Sequence, residues 1–284
     1  MSIHDPLPLL EELREQLAVA RQIQEALLPQ PEKNLSYVHA CSKTMPCYEI
    51  GGDYLDYFPL KEGRFFFALG DVAGKGISAA LLASKVQGIL SAQSFLDSPL
   101  SAIISDLNRN LTERGIDNRF VTFFFGILDP EGNCSYVNAG HDPPILVNPD
   151  GSLRELTDGG TVLGLFPEAQ YESHTVMLQP GDHLVLFTDG VVEALNAAGE
   201  EFGKERLCAL LRGKARATAP ELLSGLREAV ESFASDTPQH DDITIMVLGF
   251  RESETPVAKI PKRFVGNSPL ISFLSGRRQL SFLR

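Results

Sequence analysis

Residues 70–84 read GDVAGKGISAALLAS: the end of an apolar run, three glycines and the start of an Ala/Leu helix. A glycine-rich turn with a lysine at the mouth of a helix invites reading as a nucleotide-binding loop. Such a loop needs four residues between its first Gly and its Gly-Lys pair, then a Ser or Thr that reaches magnesium. Here three residues separate Gly70 from Gly74-Lys75, and Gly76 stands where the hydroxyl belongs. A nucleotide-triphosphatase built on this loop fails on spacing. The residue that stands out is Asp71, placed where the apolar run Phe65-Phe66-Phe67-Ala68-Leu69 gives way to the glycines.

Outward from this stretch the chain alternates strand-like runs and turns. Strands are expected over 37–44, 54–60 and 64–71, followed by the helix that Ala79 to Ala83 announces and a second helix over 99–114. The middle, VTFFFGILD, CSYVNAG, PPILVNPDGSLRELT, YESHTVML and DHLVLFTDG, reads as strands and hairpins, one of them turning at Asp150-Gly151. Helices over 204–211 and 219–233 precede a last strand over 242–250. Runs of hairpins with helices inserted at two places predict an α+β protein, antiparallel sheets packed face to face with helices outside. A parallel nucleotide-binding sheet would alternate strand and helix throughout.

The N-terminal stretch has no glycine between Leu9 and Leu28, and Leu10, Leu13, Leu17, Ala20 and Leu27 mark one apolar stripe. It is expected as a helical, coiled-coil-like linker over 1–30, docked on the body at 31–250 or pairing two chains, with Gln24 a polar interruption of the seam. Residues 251–284 carry a charge of +5, which leaves −17 on the rest of a chain whose total is −12. That basic tail is expected to fold onto acidic surface, bind a partner or remain disordered. The net charge argues against nucleic acid, no run approaches the ~20 apolar residues of a membrane span, and the start lacks a signal-peptide layout. A cytoplasmic protein without membrane insertion is expected. Cys41, Cys47, Cys134 and Cys208 form no C-x-x-C pair, which suggests neither a zinc site nor a disulfide framework.

Asp71 has counterparts. Asp53 follows Gly51-Gly52, Asp189 ends a strand and precedes Gly190, and Asp241-Asp242 opens the final strand. Each lies where a hydrophobic strand meets a turn, a position from which a rigid scaffold aims a side chain into a cleft. Carboxylates that converge repel one another unless cations lie between them, and all-oxygen ligands select hard ions such as Mg²⁺ or Mn²⁺. A single Asp-Gly marks a turn more often than a site; the order and neighbours of all four acids make the signal.

The stretches ARQIQEALLP, IGGDYLDYFPL, GDVAGKGISAALLAS, FVTFFFGILDP, YVNAGHDPP, VLGLF, DHLVLFTDGVVEA, FGKERL and HDDITIMV, in this order over residues 20–247, resemble the metal-dependent PPM protein phosphatases, and among them the bacterial SpoIIE-like, RsbU-like branch. The resemblance implies a four-layer α-β-β-α sandwich and hydrolysis of phosphoserine or phosphothreonine by metal-activated water, with two or more Mn²⁺ or Mg²⁺ ions. It implies Asp71 as the metal-bridging carboxylate, the Val72 carbonyl as a further ligand, Asp189 and Asp241 completing the cluster, and Asp53 binding directly or through water. Asp242 is expected to be structural. The implied substrate is a phosphorylated STAS-domain anti-sigma-factor antagonist; a silent binding module is the alternative. Where the eukaryotic branch has a His after its Asp-Gly, this chain has Val72 and Ala73 after Asp71, so the general acid stays unassigned. His141 is open to two readings, substrate contact or acid and structural turn residue, and Lys75 to attracting phosphate or lying solvated in its turn. His39, His174, His183 and His240 read as scattered surface or strand residues.

Overall fold

The computed structural model describes residues 7–93, 98–113 and 119–252, so the expected basic tail, beyond its first two residues, lies outside the described residues. The chain opens with helix α1 (Leu7–Leu27), then β1 (Glu32–Asn34), β2 (Val38–Met45) and the hairpin of β3 (Tyr54–Pro59) and β4 (Phe65–Val72). Helices α2 (Ile77–Ser91) and α3 (Leu100–Glu113) precede a run of strands, β5 (Val121–Leu128), β6 (Asn133–Ala139), β7 (Ile145–Val147), β8 (Leu153–Glu155), β9 (Gly159–Gly160), β10 (His174–Met177) and β11 (His183–Phe187). Helices α4 (Gly203–Gly213) and α5 (Ala219–Ala234) lead to β12 (Ile243–Phe250).

These strands form two sheets, one ordered β1-β2-β12-β11-β7-β8 and the other β10-β6-β5-β4-β3, with β9 added alongside β6. The β6–β9 pairing is parallel and the remaining ladders are antiparallel. The two Phe triplets explain how each sheet can be covered on both faces. Side chains alternate along a strand, so Phe65, Phe67 and Phe124 point into the core between the sheets, where they meet Leu184, Leu186, Met246 and Leu248. Phe66, Phe123 and Phe125 point the other way, into the layer with Val86 of α2 and Ile104 and Leu107 of α3. On the opposite outer face, Val185, Ile245 and Val247 meet Leu207 of α4 and Leu222 and Leu226 of α5. The result is the expected α-β-β-α sandwich. Strands buried on both faces read as continuous apolar runs, as these do.

Strands β1 and β9 had no sequence signal. Glu-Lys-Asn and Gly-Gly are poor strand formers, and they are extended because β2 and β6 offer them free edges. Helix α1 is only partly docked: Leu17 and Ala20 are half-buried, whereas Leu10, Leu13, Val19 and Ile23 are 47–59% exposed. Gln24 is not a break in a seam. Its amide donates to the Gly51 carbonyl at 2.8 Å and accepts the Gly51 N–H at 3.1 Å, tying the helix to the loop that carries Asp53. Among the described residues no helix is long and apolar enough to cross a membrane.

Candidate functional site

Antiparallel pairing explains why acids far apart in sequence meet. Tyr54 is opposite Gly70 in the β3–β4 hairpin, so Asp53, just before β3, lies beside Asp71 near the end of β4. Phe187 is opposite Ile245, so Asp189, just after β11, lies beside Asp241 and Asp242, just before β12. Both pairs belong to the same end of the sandwich, and Asp53 crosses from one sheet to the other. Its Oδ2 accepts hydroxyl hydrogen bonds from Thr188 at 3.0 Å and Thr244 at 2.6 Å. The Thr188 oxygen in turn accepts the Thr244 N–H at 2.9 Å.

Two glycines allow this approach. A Cβ on Gly190 would lie 2.1 Å from the Asp242 carbonyl oxygen, and one on Gly52 would lie 2.8 Å from the Ala79 Cβ and 3.2 Å from the Val72 carbonyl oxygen. Gly70 has a different reason: a Cβ there would strike the Phe123 ring at 2.6 Å, which is packing. Asp242 is fully engaged, Oδ1 accepting the Cys47 N–H at 2.8 Å and Oδ2 the Gly52 N–H at 2.6 Å. It fastens the loop before β3 to the start of β12.

The remaining carboxylates are crowded. Burial, then the charges of Asp189, Asp241 and Asp242, push Asp71 up to about 7. Burial, then Glu193, Asp241 and Asp142, push Asp189 up to about 6. Burial and the neighbouring Asp71 hold Asp53 well above the usual carboxylate range despite its two hydroxyl donors. Carboxylate oxygens of Asp189, Glu193 and Asp241 all lie within 4.8 Å of one another. Lys75 answers part of this charge, its Nζ 2.8 Å from Asp241 Oδ2 and also bonded to the His240 carbonyl. Asp53 Oδ1 is buried and, among the described residues, has no hydrogen-bond partner. The orphan oxygen of Asp53, whose charged neighbours are Asp71 and Asp242, and the close set of Asp189, Glu193 and Asp241 are oxygen donors of the kind suited to hard divalent cations.

The structure thus brings Asp53, Asp71, Val72, Asp189 and Asp241 to one end of the molecule. Sequence reading missed Glu193. The backbone after Asp189 turns helically, with the Glu193 N–H on the Asp189 carbonyl at 2.8 Å, so residues four apart share a side. The signal was the spacing in DGVVE. Thr188 and Thr244 were missed because threonine in a strand reads as β-propensity. His141 is buried, its Nδ1 2.9 Å from Thr122 Oγ1 and its N–H on Asn138 Oδ1 at 2.8 Å. Burial lowers it to about 4, and it holds the turn after β6. Lys75 is exposed in its turn, as one of its two readings has it, and its ammonium is engaged by Asp241 and the His240 carbonyl. His183 is a strand residue, the first of β11, and is buried because β11 is covered on both faces.

Comparisons with known proteins bear on the family and the fold. A family model described as Stage II sporulation protein E (SpoIIE) matches residues 61–251. Protein IcfG of Synechocystis is 28% identical over 263 residues, which cover 83% of this chain and 41% of IcfG. Phosphoserine phosphatase RsbU of Bacillus subtilis is 28% identical over 250 residues, which cover 84% of this chain and 71% of RsbU. The SiaA-PP2C domain of Pseudomonas aeruginosa shares the fold with a TM-score of 0.72 at 22% identity, over 85% of this chain and 97% of that domain.

Proposed function

The chain belongs to the SpoIIE family of PP2C-type phosphatases, and from that premise we propose that it hydrolyses a phosphoserine or phosphothreonine ester on a partner protein. The observation that carries this reading is the convergence of Asp53, Asp71, Asp189 and Asp241 at one end of the sheets, with Glu193 beside them. In this reading Asp71, Asp189, Asp241 and the Val72 carbonyl hold two or more Mn²⁺ or Mg²⁺ ions, and Glu193 adds a carboxylate. Such ions lower the pKa of an attacking water and neutralise phosphoryl charge.

The chain's own residues set the geometry. Thr188 and Thr244 fix one oxygen of Asp53 and leave its Oδ1 without a partner among the described residues. Asp242 holds the loop that carries Asp53. Lys75, at the rim, offers a cation to a phosphoryl oxygen as its contact with Asp241 loosens. His141 is buried and held neutral, which argues against it as proton donor to the leaving group; solvent serves that role. The partner is a phosphorylated STAS-domain anti-sigma-factor antagonist, a reading supported by the likeness to RsbU. The half-exposed stripe of α1 supports pairing of two chains through that helix, and a sedimentation coefficient unaltered in Leu13→Asp would remove the dimer.

The decisive experiment is hydrolysis of a small aryl phosphate by the purified chain, titrated with Mn²⁺ and Mg²⁺ and repeated with Asp241→Asn. Metal-dependent turnover that the substitution abolishes is expected. Metal binding without turnover on either the aryl phosphate or a phosphorylated STAS protein would make the chain a binding module.

A further inference from the structure

Beside the carboxylate cluster lies a cavity of about 330 Å³ that the chemistry above leaves unused. It shares Glu193, Asp241 and Lys75 with the cluster, so anything seated in it adjoins those carboxylates. Its floor is apolar, with Val230 and Ile243 buried and Met45 and Leu195 half-buried. Its rim is acidic, with Glu193, Glu201 and Glu231. Glu231 is neutralised by Arg227, at 2.9 Å and 2.7 Å from its two oxygens. The Glu201 carboxylate has no ion pair among the described residues, while its backbone is held by Arg206 at 3.0 Å.

The walls are built rather than incidental. Helix α5 ends at Ser235 in a left-handed conformation, φ 50 and ψ −120, which non-glycine residues seldom adopt. Its N–H still bonds the Glu231 carbonyl at 2.9 Å. That reversal turns residues 236–241 back over the cavity, and the Gln239 amide closes the lip by donating to the Met45 and Asp241 carbonyls, each at 2.6 Å.

An apolar floor under a rim on which the Glu201 carboxylate has no ion pair among the described residues matches a side chain with an aliphatic stem and a cationic head. We propose that this cavity binds a lysine or arginine side chain of the phosphoprotein substrate, with the stem on Val230 and Ile243 and the head at Glu201, and so selects substrates whose basic residue lies near the phosphorylated one. At about 3.3–3.6 Å per extended residue, a pocket adjoining the cluster is reached from roughly two to four positions away. The inference rests on the phosphatase reading and deepens it.

The test uses phosphoserine peptides in which lysine, leucine or glutamate is placed in turn at each of the four positions on either side of the phosphoserine. The readout is the ratio of kcat/KM for the lysine and leucine peptides, a quantity that general loss of activity does not move. At one position the ratio is expected on the order of ten, with glutamate poorest. In Glu201→Lys it falls to about one or inverts, and in Ala234→Leu, which narrows the cavity, it shrinks. A ratio near one at every position, a preference for leucine, or a lysine preference that survives Glu201→Lys overturns the proposal. Anisotropy measurements of the same peptides binding to the Mn²⁺-loaded chain must show the same order. A chain that binds lysine peptides preferentially yet hydrolyses no aryl phosphate would keep the pocket and sink the phosphatase, whereas hydrolysis without preference would do the reverse.

Discussion

Strands β11 and β12 run the length of one sheet, and their two ends handle charge in opposite ways. At one end Asp189 follows β11 and Asp241 precedes β12, and burial with like charge lifts the carboxylates there towards neutrality. At the other, His39, His183, Arg216 and Arg251 surround a cavity of about 350 Å³, yet this basic end is quiet. Arg216 donates to the Pro149 carbonyl at 3.1 Å, Arg251 to the Ser36 carbonyl at 3.2 Å, and His39 meets Glu32 at 2.6 Å. Three of the four cationic side chains are thus matched by acceptors, and among the described residues only the buried Nδ1 of His183 has no partner there. The acidic end instead keeps a conflict that folding alone would relieve, and a fold retains such a conflict where it serves chemistry.

Breaking the acidic end produces the largest effect. Asp71→Asn and Asp189→Asn are each expected to cut turnover by about 10³-fold or more, while calorimetry of the metal-stripped chain shows an unchanged or higher Tm because a repelled carboxylate is gone. Near-normal turnover, or a clear fall in Tm, would count against the assignment. Asp242, next to these residues, should behave in the contrary way. Asp242→Ala strands two backbone N–H groups and is expected to lower stability by about 2–4 kcal/mol in urea unfolding; a loss under about 0.5 kcal/mol would deny it the fastening role.

Cations should sharpen the contrast. Carboxylates whose folded pKa is raised favour the folded state below their unfolded value near 4, and that contribution is lost as pH rises through about 6 and 7, the positions of Asp189 and Asp71. The metal-stripped chain is thus expected to lose Tm between about pH 4 and pH 7. At pH 7.5, Mn²⁺ at 100 times its Kd should restore roughly 5–10 °C, and little in Asp71→Asn. The smallest effect belongs to the basic end. Burial lowers His183, so its contribution to stability is present above its unfolded value near 6.5 and is lost as pH falls below it. His183→Leu is expected to flatten the acid side of the pH–Tm curve by about a degree or two and to leave the alkaline side alone; a change confined to the alkaline side would mean that the two ends are coupled.

Much of this was legible before any coordinates, for identifiable reasons. The Phe triplets and the apolar runs before Asp71 and Asp189 announce strands covered on both faces, and each acid sits at a strand's edge where only the turn has yet to be drawn. Asp242 could be set apart from Asp241 only as an expectation, because two adjacent acids look alike until one is found to hold two backbone N–H groups. Gln24 was misread since a polar residue in an apolar stripe looks the same whether it interrupts a helix pair or reaches a loop 27 residues away.

Local chemistry in the chain therefore determined the strands other than β1 and β9, the helices, the positions of the acids and the failure of the nucleotide loop, because periodicity and spacing act over a few residues. Tertiary structure decided which oxygens meet, that Thr188 and Thr244 clamp Asp53, that Glu193 joins Asp189 and Asp241, and that a cavity with an acidic rim opens beside them. Those are outcomes of strand register and of burial, which depend on residues as far as 200 positions apart; apart from the spacing in DGVVE they have no signature in any one stretch.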